Sequence, residues 1–278
     1  MLYLAFVALF FILWGCFYVA LPLLRHAGAA AARLIARASV RYARIGRFTN
    51  WFRAYAPIAL IVIVGALATA WIGDQFLDLA ELVHSKSEKL QDFDALAHAW
   101  AISKRTVADT SFFATMSNIG SPVGMGAIAA CVAIALGVTR RFRWLLYLAV
   151  TAGGGSLLNL ELKRYFARAR PDIAQMLRQA HGYSFPSGHA MGSTVVLGAV
   201  SYLAFRTATR WRWKAACLAL AWTLILGIAL SRVYLGVHWS SDVAAGIAAG
   251  ALWVSVTTLA YETLRRIRML RGRRTSGP

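Results

Sequence analysis

The chain places a histidine and an aspartate four residues apart, where an apolar segment begins. His238 and Asp242 end the stretch Ser231-Arg232-Val233-Tyr234-Leu235-Gly236-Val237-His238-Trp239-Ser240-Ser241-Asp242. On a helix, this spacing puts both side chains on one face. A carboxylate keeps one nitrogen of an adjacent imidazole protonated and leaves the other free to attack or bind, and Arg232 can attract an anion. The pattern therefore indicates phosphate chemistry, with a structural hydrogen bond between two helices as the alternative.

A basic cluster precedes this pair in the sequence. Lys163 and Arg170 are seven residues apart, about two helical turns, so a continuing helix would point both the same way. Pro171 disfavours helix at Arg170, so the chain should turn there and bring the guanidinium inward. Basic side chains that extend to the membrane interface are the alternative explanation.

A third cluster, Pro186-Ser187-Gly188-His189, stands at the start of an apolar run. The start of a helix offers unpaired N–H groups, Ser187 can cap or donate, and Gly188 allows an anion to approach closely. His189 would lie at the mouth of the same pocket. A simple helix cap and a solvated interfacial histidine would explain these residues without a site.

The segments that carry these clusters are apolar enough to cross a membrane. The chain has 278 residues, of which 59% are hydrophobic and 15% are charged, and the balance predicts an all-α polytopic membrane helix bundle. The first run is too long, and its start too poor in positive charge, for a typical secretory signal, so we expect a retained helix. Seven runs near the required length of about 20 residues are residues 1–24, 54–73, 123–139, 144–160, 190–205, 215–230 and 243–261.

The net charge of +19 is confined to one side of this topology. When the connections are assigned to alternate sides, one side has 20 basic residues against Glu262 alone, and the other has 10 basic and 10 acidic residues. The positive-inside rule predicts a multi-pass protein of the cell (inner) membrane, with its N-terminus outside and its C-terminus in the cytoplasm. All three polar clusters then lie on the outer (periplasmic) face. No basic patch is interleaved with aromatic residues, so we expect the lipid bilayer, and no nucleic acid, as partner.

Two segments connect or flank the spans. Arginines at 33, 37, 41, 44 and 47 form a stripe that predicts a basic helix along the cytoplasmic surface. Residues 74–122 are predicted to be the largest outer loop, with helical patterns at 90–102 and 107–116. The sequence Asn118-Ile119-Gly120-Ser121-Pro122 should end the second of these helices.

Together, the three clusters resemble the signature of the type 2 phosphatidic acid phosphatase (PAP2) superfamily. Lys163 with Arg170-Pro171, the segment 186–189, and Ser231-Arg232 with His238 and Asp242 all match without a departure. The match in order and topology runs from about Tyr55 to Tyr261. The resemblance implies a six-helix PAP2-like phosphatase core (54–262). The predicted N-terminal transmembrane helix and basic segment (1–53) lie outside that core, so the resemblance implies nothing for them, and a basic cytoplasmic tail (263–278) is predicted to follow the core.

The resemblance also implies roles for the individual residues. His238 is expected to attack phosphorus and form a phosphohistidine, and Asp242 to orient and polarise it. His189 is expected to protonate the departing oxygen and later to activate water. The expected phosphate-binding groups are the side chains of Lys163, Arg170, Ser187 and Arg232 and the amide of Gly188.

We expect a metal-independent enzyme with no cofactor. The acidic residues near the clusters, Glu161, Asp172 and Asp242, are scattered and outnumbered by cations, which makes a poor site for a hard metal ion. Glu161 is interpreted as an ion-pair partner of neighbouring basic residues. A zinc site made of His181, His189 and His238 is the alternative.

The implied function is hydrolysis of the phosphomonoester or diphosphate of a membrane lipid at the outer face. Undecaprenyl pyrophosphate, phosphatidic acid, phosphatidylglycerol phosphate and lipid A phosphate all suit such a site, and isoprenyl diphosphate is slightly preferred because its recycling needs an outer-face phosphatase. A lipid phosphotransferase that uses the same histidine pair is the alternative among enzymes. A non-catalytic lipid transporter would place charges deep inside several spans, whereas the polar groups here cluster at span ends. The sequence does not indicate an oligomeric state.

Overall fold

The structure, a computed structural model, describes residues 2–41 and 46–275, and over these residues it contains helices and no strand. The predicted all-α fold is confirmed. Between Phe166 and Gly188 the described chain forms a 3-10 turn, Ile173–Gln175. The helices are α1 (Leu2–Arg41), α2 (Gly46–His84), α3 (Glu88–Ser103), α4 (Val107–Ile119), α5 (Pro122–Val138), α6 (Phe142–Phe166), α7 (Gly188–Thr207), α8 (Trp211–Tyr234) and α9 (Ser240–Thr275).

Within the described part of the chain, six helical segments are long and apolar enough to cross a membrane, and α4 with α5 adds a seventh if that pair, bent by 50°, counts as one span. Alone, α5 has only 17 residues. The seven predicted spans therefore correspond to six helices and one broken span. The six are Leu2–Ala30, Ile58–His84, Phe142–Phe166, Gly188–Thr207, Trp211–Tyr234 and Ser240–Leu270.

The predicted outer loop is wrong at its start, because α2 continues to His84. Phe76, Ala80 and Val83 recur at helical spacing and are buried in the bundle, so packing extends the helix past its acidic residues. The two helices predicted within the loop are confirmed as α3 and α4. The predicted break is confirmed too, since the Ser121 hydroxyl accepts a hydrogen bond from the Gly124 N–H (3.0 Å) and caps α5.

The N-terminal basic stripe does not form a separate helix where it is described. Arg33, Arg37 and Arg41 continue α1, Arg44 lies outside the described residues, and the side chain of Arg47 is not described. The domain division stays a prediction, and its boundaries after residues 53 and 262 fall inside α2 and α9.

The N-terminal helix α1 packs against α4 and α8. The rings of Tyr3 and Phe6 meet Phe112 edge to face at 4.8 and 5.5 Å, and Phe6 lies where a Cβ on Gly227 would come within 2.6 Å of it. The Trp14 indole donates to the Arg212 carbonyl (3.0 Å). The extra helix is thus attached to the outside of the bundle.

Helix α7 occupies the centre of the bundle and contacts α9 at two glycines. A Cβ on Gly246 would lie 2.7 Å from the Ser187 carbonyl, and one on Gly250 would lie 2.9 Å from the Met191 carbonyl, so larger side chains would push the helices apart. This close contact places the start of α9 beside the start of α7. The Ser187 N–H donates to the carbonyl of Asp242 (2.9 Å) as a result.

Candidate active site

Six of the eight predicted site residues line one cavity of about 620 Å³. The cavity lies at the bundle end opposite the arginine-rich connections, where α6 and α8 end and α7 and α9 begin. Asp242 and Ser187 are the other two, and both are fully buried beside it. The six lining residues are Lys163, Arg170, Gly188, His189, Arg232 and His238.

A tight turn between α8 and α9 positions His238. Gly236 has φ +77°, and a Cβ there would come within 2.7 Å of Arg105 Nη2 and 2.9 Å of the Gln175 carbonyl, so only glycine fits. His238 follows in this turn, two residues before α9. His238 thus precedes α9, which begins at Ser240, and does not share a helix with Asp242, yet the two side chains still meet at 3.3 Å.

The two ring nitrogens of His238 have different neighbours. Nδ1 faces the carboxylate of Asp242, and Nε2 lies 3.1 Å from the Arg170 guanidinium. We assign the proton to Nδ1 because the carboxylate only accepts, which leaves Nε2 unprotonated, with its lone pair accepting from Arg170 Nη1. Burial lowers the pKa of His238 to about 4, against the opposing effect of Asp242. The imidazole is therefore neutral near pH 7 and able to act as a nucleophile.

Asp242 is fixed from several directions. Its carboxylate accepts from the Ser184 hydroxyl, from the Trp239 N–H (3.0 Å) and from Arg168 Nη1 (2.7 Å). The Trp239 bond is half of a capping box at the start of α9. These donors satisfy the hydrogen-bonding capacity of a fully buried carboxylate and hold it against His238.

A second buried carboxylate extends this network, and the sequence did not reveal it. Asp94 on α3 accepts from Arg168 Nη2 (2.8 Å) and from the Ser241 N–H (2.9 Å) and hydroxyl. Arg168 therefore bridges Asp94 and Asp242, and its guanidinium also lies over the Trp239 ring at 5.8 Å. Asp94 does not line the cavity, and we infer that it acts on the site by positioning Arg168.

We expect Asp94→Asn to lower kcat about tenfold with little change in KM, because Arg168 would hold Asp242 less firmly while the groups facing substrate stay in place. A purely structural role would instead lower the amount of folded enzyme and leave kcat per folded molecule unchanged, so activity is normalised to the amount of folded protein. Asp92→Asn, an exposed neighbour on α3, is the matched control. An unchanged kcat in Asp94→Asn would disprove the role.

Hydrogen bonds to backbone carbonyls orient Lys163 and Arg170. Helix α6 ends at Phe166, earlier than Pro171 requires, and Ala167 adopts a left-handed conformation with φ 44°. Arg170 then donates to the carbonyls of Gly182 (2.9 Å) and Val237 (2.7 Å), among others, and Lys163 donates to that of Tyr183 (2.7 Å). Burial lowers the pKa of Arg170, but it remains a cation at neutral pH.

Two buried polar atoms beside the cavity lack partners within the described residues. They are the Ser187 hydroxyl and the Nε of Arg232. Ser187 occupies the N-cap position just before α7, but its hydroxyl makes no capping hydrogen bond. An unpartnered buried donor costs free energy, so an anion that accepted from these groups would be stabilised.

Gly188 and His189 complete the cavity wall. A Cβ on Gly188 would lie 3.2 Å from Asn159 Oδ1 and 3.7 Å from Lys163 Cε, so glycine keeps the start of α7 open. The His189 side chain makes no hydrogen bond to any described residue and is partly exposed to the cavity. Asn159, one turn before Lys163, also lines the cavity and was not predicted. A lone amide within an apolar run was the signal that could have found it.

The described residues contain no group of three or more His, Cys, Asp or Glu side chains that could hold a metal ion. His181 lines the cavity with His189 and His238, but the three are not arranged as ligands. Glu161 forms the expected ion pair, at 2.9 Å from Arg164.

Comparison with known proteins relates the chain to membrane phosphatases. A sequence model of the PAP2 superfamily matches residues 144–266. Phosphatidylglycerophosphatase B of Bacillus subtilis is 33% identical over 117 residues, which cover 42% of this chain and 57% of that protein. Decaprenylphosphoryl-5-phosphoribose phosphatase of Mycobacterium tuberculosis is 36% identical over 136 residues, which cover 46% of this chain and 67% of that protein.

One solved structure matches most of the fold. The transmembrane PAP2-type phosphatidylglycerolphosphate phosphatase from Bacillus subtilis superposes with a TM-score of 0.64 at 25% identity and covers 70% of this chain and 96% of its own. The matched part of the fold is thus a membrane helix bundle of this type.

Proposed function

Since this chain belongs to the PAP2 superfamily of membrane lipid phosphatases, we propose that it hydrolyses a lipid phosphate through a phosphohistidine formed on His238. The observation that carries the proposal is the pairing of the two ring nitrogens, with Nδ1 against Asp242 and Nε2 beside Arg170 in the cavity. A neutral imidazole held this way is a nucleophile next to an anion-binding group.

In the first step, the lone pair of His238 Nε2 attacks phosphorus and the bond from phosphorus to the lipid oxygen breaks. His189 donates a proton to the departing oxygen, so the lipid leaves as a neutral alcohol or as a shorter phosphate. Asp242 stays ionised and stabilises the positive charge that the histidine ring acquires. Arg170 turns from Nε2 to a phosphate oxygen when substrate enters.

In the second step, water attacks the phosphohistidine. His189, now without its proton, removes a proton from the water, and the bond between phosphorus and Nε2 breaks. Orthophosphate leaves, and both histidines return to their starting states. Lys163, Arg170 and Arg232 stabilise the negative charge on phosphate in both steps, which is the contribution that a metal ion makes in other phosphoryl-transfer sites.

We place the site on the outer face of the membrane. It lies at the end of the bundle opposite the connections around Arg140 and Arg210, and basic connections stay in the cytoplasm. A membrane-impermeant thiol reagent applied to intact cells should label a cysteine introduced at Tyr183 and not one at Arg210, in a variant without native cysteines. The reverse pattern would contradict this orientation.

The cavity extends from the cations into an apolar region between α5 and α6. Its walls there include Gly126 and Ala129 of α5 and Ala152 and Gly153 of α6, small residues that leave room for a hydrocarbon chain. An isoprenyl phosphate or diphosphate is our preferred substrate, and the Mycobacterium tuberculosis relative, named for a decaprenylphosphoryl compound, supports it.

Phosphate release by the purified protein from a panel of lipids in mixed micelles tests this function. We expect the fastest release from an isoprenyl phosphate or diphosphate, and the same rates within about twofold after dialysis against EDTA, because side-chain cations replace a metal. No release from any member would reject the phosphatase, and a loss in EDTA that Mg²⁺ restored would reject metal independence. Labelled phosphate found on an acceptor lipid would identify a phosphotransferase instead.

A further inference from the structure

A second cavity lies between α6 and α9, at the end of the bundle opposite the catalytic site. It has a volume of about 260 Å³, and its apolar wall includes Leu146 and Val150 from α6 and Val256, Ala260 and Leu264 from α9. These positions recur at helical spacing along both helices, so they form a continuous apolar strip.

Three of the four hydroxyl side chains along this groove already have partners within the bundle. The Tyr147 hydroxyl is hydrogen-bonded to Thr258 (2.8 Å), Thr151 donates to the Tyr147 carbonyl (2.7 Å), and Thr257 donates to the Trp253 carbonyl (2.9 Å). These three hydroxyls are already engaged within the bundle, so the wall is mainly apolar.

Three arginines surround the mouth of the groove. Arg265 is paired with Glu262 at 2.7 Å, whereas Arg143 and Arg268 form no ion pair or hydrogen bond with any described side chain. Glu262 also pairs with Arg206, so its negative charge is already shared. The mouth thus carries uncompensated positive charge directly beside an apolar groove.

This arrangement matches the layout of an anionic phospholipid. The arginines stand at one end of the strip, and the apolar wall runs from there toward the middle of the bilayer, because Leu146 and Val150 lie one and two turns beyond Arg143 on α6. A headgroup phosphate can meet the guanidinium groups while an acyl chain lies along the strip.

The groove is separate from the substrate cavity. Arg143 and Lys163 are 20 residues apart on the same helix, which corresponds to about 30 Å. A second copy of the chain is a poor occupant, because it would bring the same arginine-rich end toward this one. We propose that the groove between α6 and α9 binds one anionic phospholipid of the leaflet opposite the catalytic site.

Native mass spectrometry of the full-length protein in detergent, with added phosphatidylglycerol or phosphatidylcholine, tests the proposal. We expect one phosphatidylglycerol to bind in preference to phosphatidylcholine. Arg143→Gln combined with Arg268→Gln should weaken this binding roughly 30-fold. This factor follows if each arginine contributes the same binding free energy as a basic residue near an anionic membrane surface. Ala260→Phe should abolish the binding without any change of charge, by filling the apolar strip.

The matched control is Arg140→Gln combined with Arg210→Gln, which removes two exposed charges at the same end but outside the groove. This control should bind like the wild type. Equal weakening in both double variants, unchanged binding in Ala260→Phe, or equal binding of phosphatidylcholine would overturn the proposal. The readout is independent of catalysis, so it separates this site from the proposed function.

Discussion

Replacing His238 with alanine is expected to lower phosphate release by about four orders of magnitude or more and to prevent any phosphoenzyme from forming, because the attacking nitrogen is gone. The cations around the cavity would still bind the phosphate, so substrate affinity should fall far less than turnover. Rapid mixing with labelled substrate, followed by an alkaline quench that preserves phosphohistidine, measures both quantities.

The buried position of His238 makes a folding control necessary, since only 2% of its surface is exposed. His238→Asn keeps a polar side chain in the turn and should be as inactive as His238→Ala, with a thermal unfolding midpoint closer to that of the wild type. His84→Ala, which removes an exposed histidine outside the cavity, should leave turnover unchanged. Hydrolysis near the wild-type rate in His238→Ala would make the nucleophile assignment wrong.

The sequence predicted which residues share the cavity because topology alone brings them together. Lys163 lies near the end of one span, His189 near the start of the next, Arg232 at the end of α8 and His238 in the turn before α9, so alternate crossing puts all of them at the same end. That argument needs only the order of spans and the bias of basic connections. It is insensitive to errors in helix boundaries.

The sequence could not predict contacts that depend on how separate helices pack. Asp94 is 74 residues from Arg168 in the chain, and nothing in the pattern of α3 distinguishes it from the exposed Asp92. Ser184 reaches Asp242 only because the loop before α7 folds back over the start of α9. The turn that holds His238 before α9 was not predictable for the same reason, since local spacing does not reveal a turn that tertiary contacts impose.

The early end assigned to α2 has a different cause. Its acidic residues Asp74, Asp78 and Glu81 made the segment too polar to span, and polarity was equated with a loop. Phe76, Ala80 and Val83 carry the helical period that could have corrected this, and their burial explains why the helix continues.

Replacing His189 with alanine is expected to slow hydrolysis of the lipid substrate by about 10²- to 10⁴-fold, because the departing alkoxide would leave without a proton. With p-nitrophenyl phosphate the first step should be nearly unaffected, since nitrophenolate leaves readily without protonation. In the second step, water attacks the phosphohistidine, and the variant lacks the base that would remove its proton. A burst of nitrophenolate equal to the number of active sites should therefore precede a slow steady state, and labelled phosphoenzyme should accumulate.

This pattern separates the two roles of His189 from a merely structural one. A side chain that only supported the cavity would slow both substrates by the same factor and produce no burst. His84→Ala again serves as the control and should turn over both substrates like the wild type. Because His189 makes no hydrogen bond to the described residues around it, its removal leaves no broken network behind, and a selective loss can be assigned to proton transfer.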